Sequence, residues 1–182
     1  SAKLYLGSSD DLQIYHDGSN SFIKDAGTGA LWVYASNFNV ASANGGESQL
    51  KCAENGAVEL FHDGDKRLST WSDGVNIYGD EGEDALLHLY ADDGDDAVDK
   101  WRIRSSIYGS GHFQFYDGSN WKDSLKAVNG GTTELHFNGT KTFETRSDGI
   151  KLTGSENGYA ALEFNADEGD DNADKWLQYA ST

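Results

Sequence analysis

The chain has 182 residues, a formal net charge of −17 and 37% apolar residues. This charge argues against nucleic acid and anionic membranes as partners, because both are bound through Lys and Arg. No apolar run reaches the ~18 residues of a membrane span, so we expect no membrane insertion. Cys52 is the only cysteine, which leaves no intrachain disulfide framework. Because the chain starts at Ser1 and contains no Met, we expect a fragment of a longer protein.

Short stretches of alternating apolar and polar residues run into Asp-Gly or Asn-Gly turns along the chain. Both residues of these dipeptides tolerate a positive φ, which favours a tight hairpin turn, and a second short strand follows each one. No apolar period of 3.6 residues is sustained over a dozen positions, so the chain is predicted to be all-β. The predicted hairpins lie at 12–23, 58–68, 112–122 and 134–143.

Fifty consecutive residues recur 75 positions later without a gap. Residues 58–107 align with 133–182, and 21 of the 50 positions are identical. Such repeats are typical of extended proteins in which each unit buries its apolar face on its neighbours, and they disfavour a catalyst. The predicted segments are an N-terminal hairpin segment (1–44), a first β repeat (45–107), a connecting hairpin (108–122) and a truncated second β repeat (123–182).

Hairpins this short leave strand edges exposed and have little core of their own. Three chains wrapped about one axis would close those edges and combine their aromatic and aliphatic residues in a shared core. The sequence thus predicts repeated short β-hairpins in an elongated, intertwined homotrimeric fibre segment. A monomeric β-sandwich and a β-solenoid fit the same pattern and stay open as alternatives.

Three stretches combine aromatic-ended strands with these turns: DDLQIYHDGSNSFIKDAGTGAL (10–31), NGAVELFHDGDKRLSTWSDGVNIYG (55–79) and TELHFNGTKTFETRSDGIKLTG (133–154). Together with GSNWKDSLKA (118–127) and GDDNADKW (169–176), they resemble segments of tail-fibre and related virion proteins of marine, chiefly cyanobacterial, bacteriophages. The resemblance implies a homotrimeric segment of the virion tail fibre that contacts other tail proteins and takes part in host attachment. The implied receptor is host cell-surface polysaccharide or lipopolysaccharide.

Two other functions remain open beside a structural host-attachment segment. One is a depolymerase that cleaves host polysaccharide, and the other is a monomeric carbohydrate-binding adhesin module. His16 and His62 precede Asp-Gly turns, but Tyr116 and Phe137 occupy the same hairpin position, which favours packing over acid–base chemistry. His112 has no partner at metal-ligand spacing. We therefore predict no catalytic residue and expect a protein that is not an enzyme.

Aromatic faces close to polar side chains suit stacking on sugar rings and hydrogen bonding to their hydroxyls. Trp71 of the first copy aligns with Arg146 of the second, and Arg102 aligns with Leu177, so the repeat tolerates change at these positions. A ligand-contacting surface is expected where the copies differ. The predicted carbohydrate-binding residues are Trp71, Trp121, Arg146 and Arg102.

An acidic turn that contains Gly occurs in both copies. Clustered carboxylates on a bent loop supply the oxygen ligands that Ca²⁺ prefers, although the spacing is not that of an EF-hand. A solvated acidic turn that pairs with the neighbouring lysine is the alternative, and no other cofactor is expected. The predicted metal ligands are Asp92, Asp95, Asp96 and Asp99 in the first copy and Asp167, Asp170, Asp171 and Asp174 in the second.

Overall fold

The structure is a computed structural model that describes residues 3–165 and 175–180, and over these residues the fold is all-β, as predicted. Two single-turn 3₁₀ helices, Asp92–Gly94 and Ala97–Asp99, are its only helical elements. The strands are β1 (Lys3–Leu6), β2 (Leu12–His16), β3 (Ser21–Asp25), β4 (Asn37–Ala41), β5 (Ser48–Ala53), β6 (Val58–His62), β7 (Asp65–Trp71), β8 (Gly74–Ile77), β9 (Ala85–Tyr90), β10 (Lys100–Ser106), β11 (Ser110–Tyr116), β12 (Trp121–Val128), β13 (Thr133–Phe137), β14 (Thr140–Arg146), β15 (Gly149–Leu152), β16 (Ala160–Asn165) and β17 (Lys175–Ala180).

Within each sheet, every strand pairs with the next strand along the chain. Four open antiparallel sheets result: β1–β3, β4–β8, β9–β15 and β16–β17. None of them closes into a barrel, and none contains the parallel pairing of a β-solenoid. The chain is therefore a succession of up-and-down meanders, with the seven-stranded sheet as the largest.

The four predicted hairpins are present, but their turns are of two kinds. Asp63-Gly64 and Asn138-Gly139 have positive φ at both residues, as expected for two-residue hairpin loops. In the hairpins at 17–20 and 117–120, by contrast, the aspartate side chain organises a longer loop. Asp17 Oδ1 accepts hydrogen bonds from the backbone N–H groups of Ser19 and Asn20, both at 2.8 Å, and Asp117 does the same in its own loop.

The strand register aligns one apolar residue from every strand of the seven-stranded sheet in a single row. Successive Cα partners along this row are apolar from one edge of the sheet to the other. We call it the apolar row, and it consists of Leu87, Ile103, Phe113, Leu125, Leu135, Phe143 and Leu152. The five-stranded sheet has a shorter row of the same kind, formed by Val40, Leu50, Leu60, Leu68 and Ile77.

These apolar rows are uncovered in the single chain. No apolar side chain in the described part of the chain is buried, and Ile103 in the middle of the sheet is 51% exposed. The surface area of 13691 Å² exceeds the roughly 8,600 Å² expected of a compact monomer of this mass by about 5,000 Å². A monomeric β-sandwich would bury one face of each sheet, so these residues do not form one.

The sheets divide at equivalent points of the two sequence copies. Strands β5–β8 are followed 75 residues later by β12–β15, and in both copies a loop then leads to a new sheet, at 78–84 and at 153–159. Gly79 and Gly154 lie in these loops, where a Cβ atom would come within 2.5 Å of backbone atoms. The seven-stranded sheet thus extends across the boundary predicted between the first β repeat and the connecting hairpin, at residue 107. The segment boundaries themselves stay a prediction.

Candidate functional site: the polar face of the seven-stranded sheet

The seven-stranded sheet has polar and charged residues on the face opposite the apolar row. Alternation along each strand places them there, because successive side chains of a strand point to opposite faces. Several of these residues are buried although they are polar. We call this surface the polar face. Its central members are Arg102, Arg104, His112, Gln114, Asp123, Lys126, Glu134, His136, Lys141 and Glu144.

Two of the predicted carbohydrate-binding residues meet at one end of this face. The guanidinium carbon of Arg102 lies 4.4 Å from the ring centroid of Trp121, which is a cation–π distance. The rings of Tyr116 and His88 lie 5.4 Å and 5.5 Å from that of Trp121. Burial lowers the pKa of Arg102, and the charge of Arg104 lowers it further. The result is a cluster of three aromatic rings and one cation.

A chain of hydrogen bonds leads from this cluster into the middle of the face. Arg102 Nε donates to Gln114 Oε1 at 2.6 Å, and Gln114 Nε2 donates to Asp123 Oδ1 at 2.7 Å. The same carboxylate oxygen lies 2.8 Å from His112 Nδ1, and His112 Nε2 lies 2.8 Å from Ser110 Oγ. Gln114 and His112 are 4% and 8% exposed, so these groups depend on one another for hydrogen bonds.

Two glutamates lie directly opposite each other at the other end of the face. Glu134 and Glu144 are Cα partners on β13 and β14, an arrangement that is repulsive without cations. Lys141 bridges the two carboxylates, and Arg146 binds Glu144 at 2.7 Å. The hydrogen bonds from Lys141 and Arg146 lower the pKa of Glu144 to about 2. Burial alone would raise the pKa of Glu134, but Lys141 and Lys126 outweigh it and lower that pKa.

The other two predicted carbohydrate contacts lie apart from Trp121. Trp71 ends β7 in the five-stranded sheet and is 65% exposed, beside a shallow hollow that Asn55 and Thr70 help to line. Arg146 is in the seven-stranded sheet, where Glu144 holds its guanidinium. The structure therefore brings together Arg102 and Trp121 but neither of them with Trp71 or Arg146. Carbohydrate binding by all four residues stays a prediction.

The predicted metal ligands are brought together in part. The carboxylates of Asp95, Asp96 and Asp99 have oxygen atoms within 4.8 Å of one another, and Asp92 is not part of this group. Exposed acidic turns of this kind are common without an ion, so Ca²⁺ binding stays a prediction. The second-copy ligands, Asp167, Asp170, Asp171 and Asp174, lie outside the described residues.

Sequence reasoning singled out Arg102 but missed the other central residues of the polar face. The only signal for them is the alternation of Ser110, His112 and Gln114 at every second position of β11, which predicts a shared face. Their partner Asp123 could not be found, because the pairing of β11 with β12 shifts by one residue between Phe113 and Gln114. Without that bulge, Ser124 would lie opposite Gln114.

Comparison with known proteins does not identify a family for this chain. No protein-family model, no curated protein and no solved structure matches the chain. Among the described residues, no helix has the length and apolar character needed to span a membrane.

Proposed function

We propose that this chain is a segment of a homotrimeric bacteriophage tail fibre that attaches the virion to polysaccharide on the host cell surface. The observation that carries the proposal is the apolar row, which crosses all seven strands of a sheet and has no cover within the chain. The resemblance of residues 10–31, 55–79 and 133–154 to phage fibre repeats supplies the biological setting.

A second copy of the chain is the occupant that best fits the apolar face. The excess surface of about 5,000 Å² is several times the ~800 Å² that each partner buries in an ordinary interface. Identical copies present the same row at the same register, so seven apolar residues of one chain meet seven of the next. Identical copies with a net charge of −17 each repel one another on balance, so apolar burial is the term expected to drive association.

The lengths of the strands favour three copies. Strands of the seven-stranded sheet have 4 to 8 residues, which makes the sheet a ribbon about 20 Å wide along its strands. Three such ribbons arranged as a triangular prism place each sheet about 5–6 Å from the central axis, by plane geometry. That is half the ~10 Å spacing of packed sheets, so side chains of the apolar rows would fill the prism.

In this arrangement the polar face points outward on all three sides. It would present the Arg102–Trp121 cluster three times, and aromatic rings next to hydrogen-bonding groups suit carbohydrate. Three weak contacts on one rigid particle bind with much higher avidity than one when their geometry allows simultaneous engagement. The fibre acts by rigidity and multivalency, within the virion and in contact with other tail proteins.

The test is to compare two variants of adjacent residues on β12 that face opposite sides of the sheet. Leu125→Gln places an amide in the apolar row, whereas Lys126→Gln makes the same new side chain on the polar face. We expect the wild type and Lys126→Gln to have three times the 19.8 kDa chain mass by native mass spectrometry, and Leu125→Gln to dissociate. We expect the variants that form trimers to be retained on an array of bacterial surface polysaccharides, and the dissociated Leu125→Gln variant to be retained less.

Each result decides a separate part of the proposal. A monomer or a dimer of the wild type at micromolar concentration would contradict the homotrimer. A stable trimer that binds no polysaccharide on the array and no bacterial cell would contradict the attachment role. Equal masses for the two variants would show that the apolar row does not hold the assembly together.

A further inference from the structure

We propose that Ser110, His112 and Asp123 form a nucleophilic relay that hydrolyses carboxylic esters. Ser110 Oγ is 2.8 Å from His112 Nε2, and His112 Nδ1 is 2.8 Å from Asp123 Oδ1. These are the atoms, in the order and at the distances, that activate a serine for acyl transfer. The proposed function does not require this activity, and the relay stands on its own geometry.

The hydrogen-bonding capacity of each group fixes where the protons lie. An ionised carboxylate only accepts hydrogen bonds, so Asp123 requires a proton on His112 Nδ1. In the neutral imidazole Nε2 is then an acceptor, and Ser110 must donate its hydroxyl proton to it. This is the tautomer in which histidine acts as a general base toward the serine.

The rest of the polar face holds the relay in this state. Gln114 donates its side-chain N–H to the same Asp123 oxygen at 2.7 Å, so this oxygen is held by Gln114 as well as by His112. Arg102 can only donate, so it fixes the Gln114 amide with the oxygen toward itself and the N–H group toward Asp123. His112 is 8% exposed, so the imidazole is held by its partners instead of by water.

A cation lies beside the nucleophile. Arg104 is the Cα partner of His112 on β10, and its Nη2 atom lies 3.4 Å from the hydroxyl of Ser106. Ser106 is in turn the Cα partner of Ser110. Asp84 Oδ2 binds Arg104 Nε at 2.5 Å, so this guanidinium is already paired with a carboxylate. An oxyanion on an attacked carbonyl would have to compete with Asp84 for it. Lys126 flanks His112 on the other side as its partner on β12.

The reaction that follows from these positions is a two-step ester hydrolysis. Ser110 Oγ attacks the carbonyl carbon as its proton passes to His112 Nε2, which leaves an oxyanion on the former carbonyl oxygen. His112 returns the proton to the departing alkoxide when the ester C–O bond breaks, which leaves an acyl-serine and an alcohol. Water then attacks the acyl-serine with His112 as base, which releases the carboxylic acid and restores the serine hydroxyl.

The experiment uses the full chain with p-nitrophenyl acetate and with a fluorophosphonate, which forms a covalent bond with activated serines. We expect the fluorophosphonate to add to Ser110, located by peptide mass spectrometry, and p-nitrophenol to be released faster than from buffer. Ser110→Ala should remove the labelling and lower kcat/KM by about 100-fold or more. Asp123→Asn, which favours the wrong imidazole tautomer, should lower the rate while the circular dichroism spectrum is preserved.

Ser119→Ala is the matched control, because Ser119 is an exposed serine on the hairpin loop between β11 and β12. It should leave labelling and hydrolysis unchanged. Label on no serine, label on serines other than Ser110, or equal hydrolysis by Ser110→Ala and the wild type would each overturn the proposal. The network would then serve only to brace the sheet, and the trimer mass would be unaffected by that outcome.

Discussion

At the scale of single residues, two of the differences between the sequence copies depend on each other. Ser69 in the first copy is replaced by Glu144 in the second, and Trp71 two residues later is replaced by Arg146. The structure pairs Arg146 with Glu144 at 2.7 Å, whereas Ser69 bonds to the Tyr78 hydroxyl at 2.9 Å. The arginine thus compensates for the added carboxylate, which is a structural reason for a difference that the sequence alone assigns to ligand contact.

Glu144→Gln should destabilise the protein in a way that depends on pH. The folded-state pKa of about 2 lies below the value of an unfolded glutamate, which is about 4.3. The stabilisation by ionised Glu144 is therefore fully present above the unfolded value and is lost as the pH falls through about 2. Urea unfolding at fixed protein concentration should show a difference between wild type and variant at pH 7 that shrinks below pH ~4.

Glu156→Gln is the matched control for this experiment, because Glu156 lies on an exposed turn. It should have the same stability as the wild type at both ends of the pH range. A Glu144→Gln variant that matches the wild type at pH 7, or a difference that grows with acid, would contradict the depressed pKa.

At the scale of elements, local turn chemistry predicted the hairpins and left some strands unseen. Asp-Gly and Asn-Gly mark the turns of all four hairpins, two of them as two-residue loops and two as longer loops organised by the aspartate side chain. Strands β4 and β5 were not predicted, although their residues alternate, because the Asn44-Gly45-Gly46 turn between them was interpreted as a segment boundary. The polar network depends on register, which the bulges at Gln114 and His136 shift by one residue.

Gly79 lies in a loop between two sheets, and adding a single methyl group there should strongly lower the free energy of unfolding. A Cβ atom there would lie 2.5 Å from the carbonyl oxygens of Glu83 and Asp84, and backbone cannot move aside as a side chain does. We expect Gly79→Ala to lower the free energy of unfolding by about 1–3 kcal/mol, as other overpacked sites do. Urea unfolding monitored by tryptophan fluorescence measures the change.

Gly74→Ala provides the comparison, since nothing lies within 4 Å of a Cβ atom at Gly74. Its effect should stay within about 0.5 kcal/mol, the usual range for exposed substitutions. The close approach at the loop would be refuted if the two alanine variants were equally stable. Gly154→Ala tests the same contact in the second copy.

At the scale of the whole molecule, association brings together apolar faces and also like charges. Each chain has a net charge of −17, so the proposed trimer would collect three times that charge. Apolar burial favours the assembly and electrostatic self-repulsion opposes it. The composition gives the charge, but it does not reveal that apolar residues line up across every strand of the seven-stranded sheet, because that depends on the register of six successive strand pairs.

The melting temperature of the assembly should therefore rise with salt. Between about 0.01 M and 1 M NaCl the Debye length falls from about 30 Å to 3 Å, which screens repulsion between chains. The double variant Asp63→Asn/Asp93→Asn, at two positions of positive φ that Asn also tolerates, should melt higher at low salt and gain less from added salt. A melting temperature that is constant or falls over this range would show that charge does not limit assembly.

The glycine loops at 78–84 and 153–159 also bear on how such a chain changes over generations. The two loops are separated by 75 residues, the offset of the sequence repeat, and each follows the last strand of a sheet. Unequal recombination between the two copies would therefore add or remove a whole sheet with its turns, its register and its closing glycine intact. The number of sheets in the chain would then change by whole units, without redesign of the side chains that hold each sheet together.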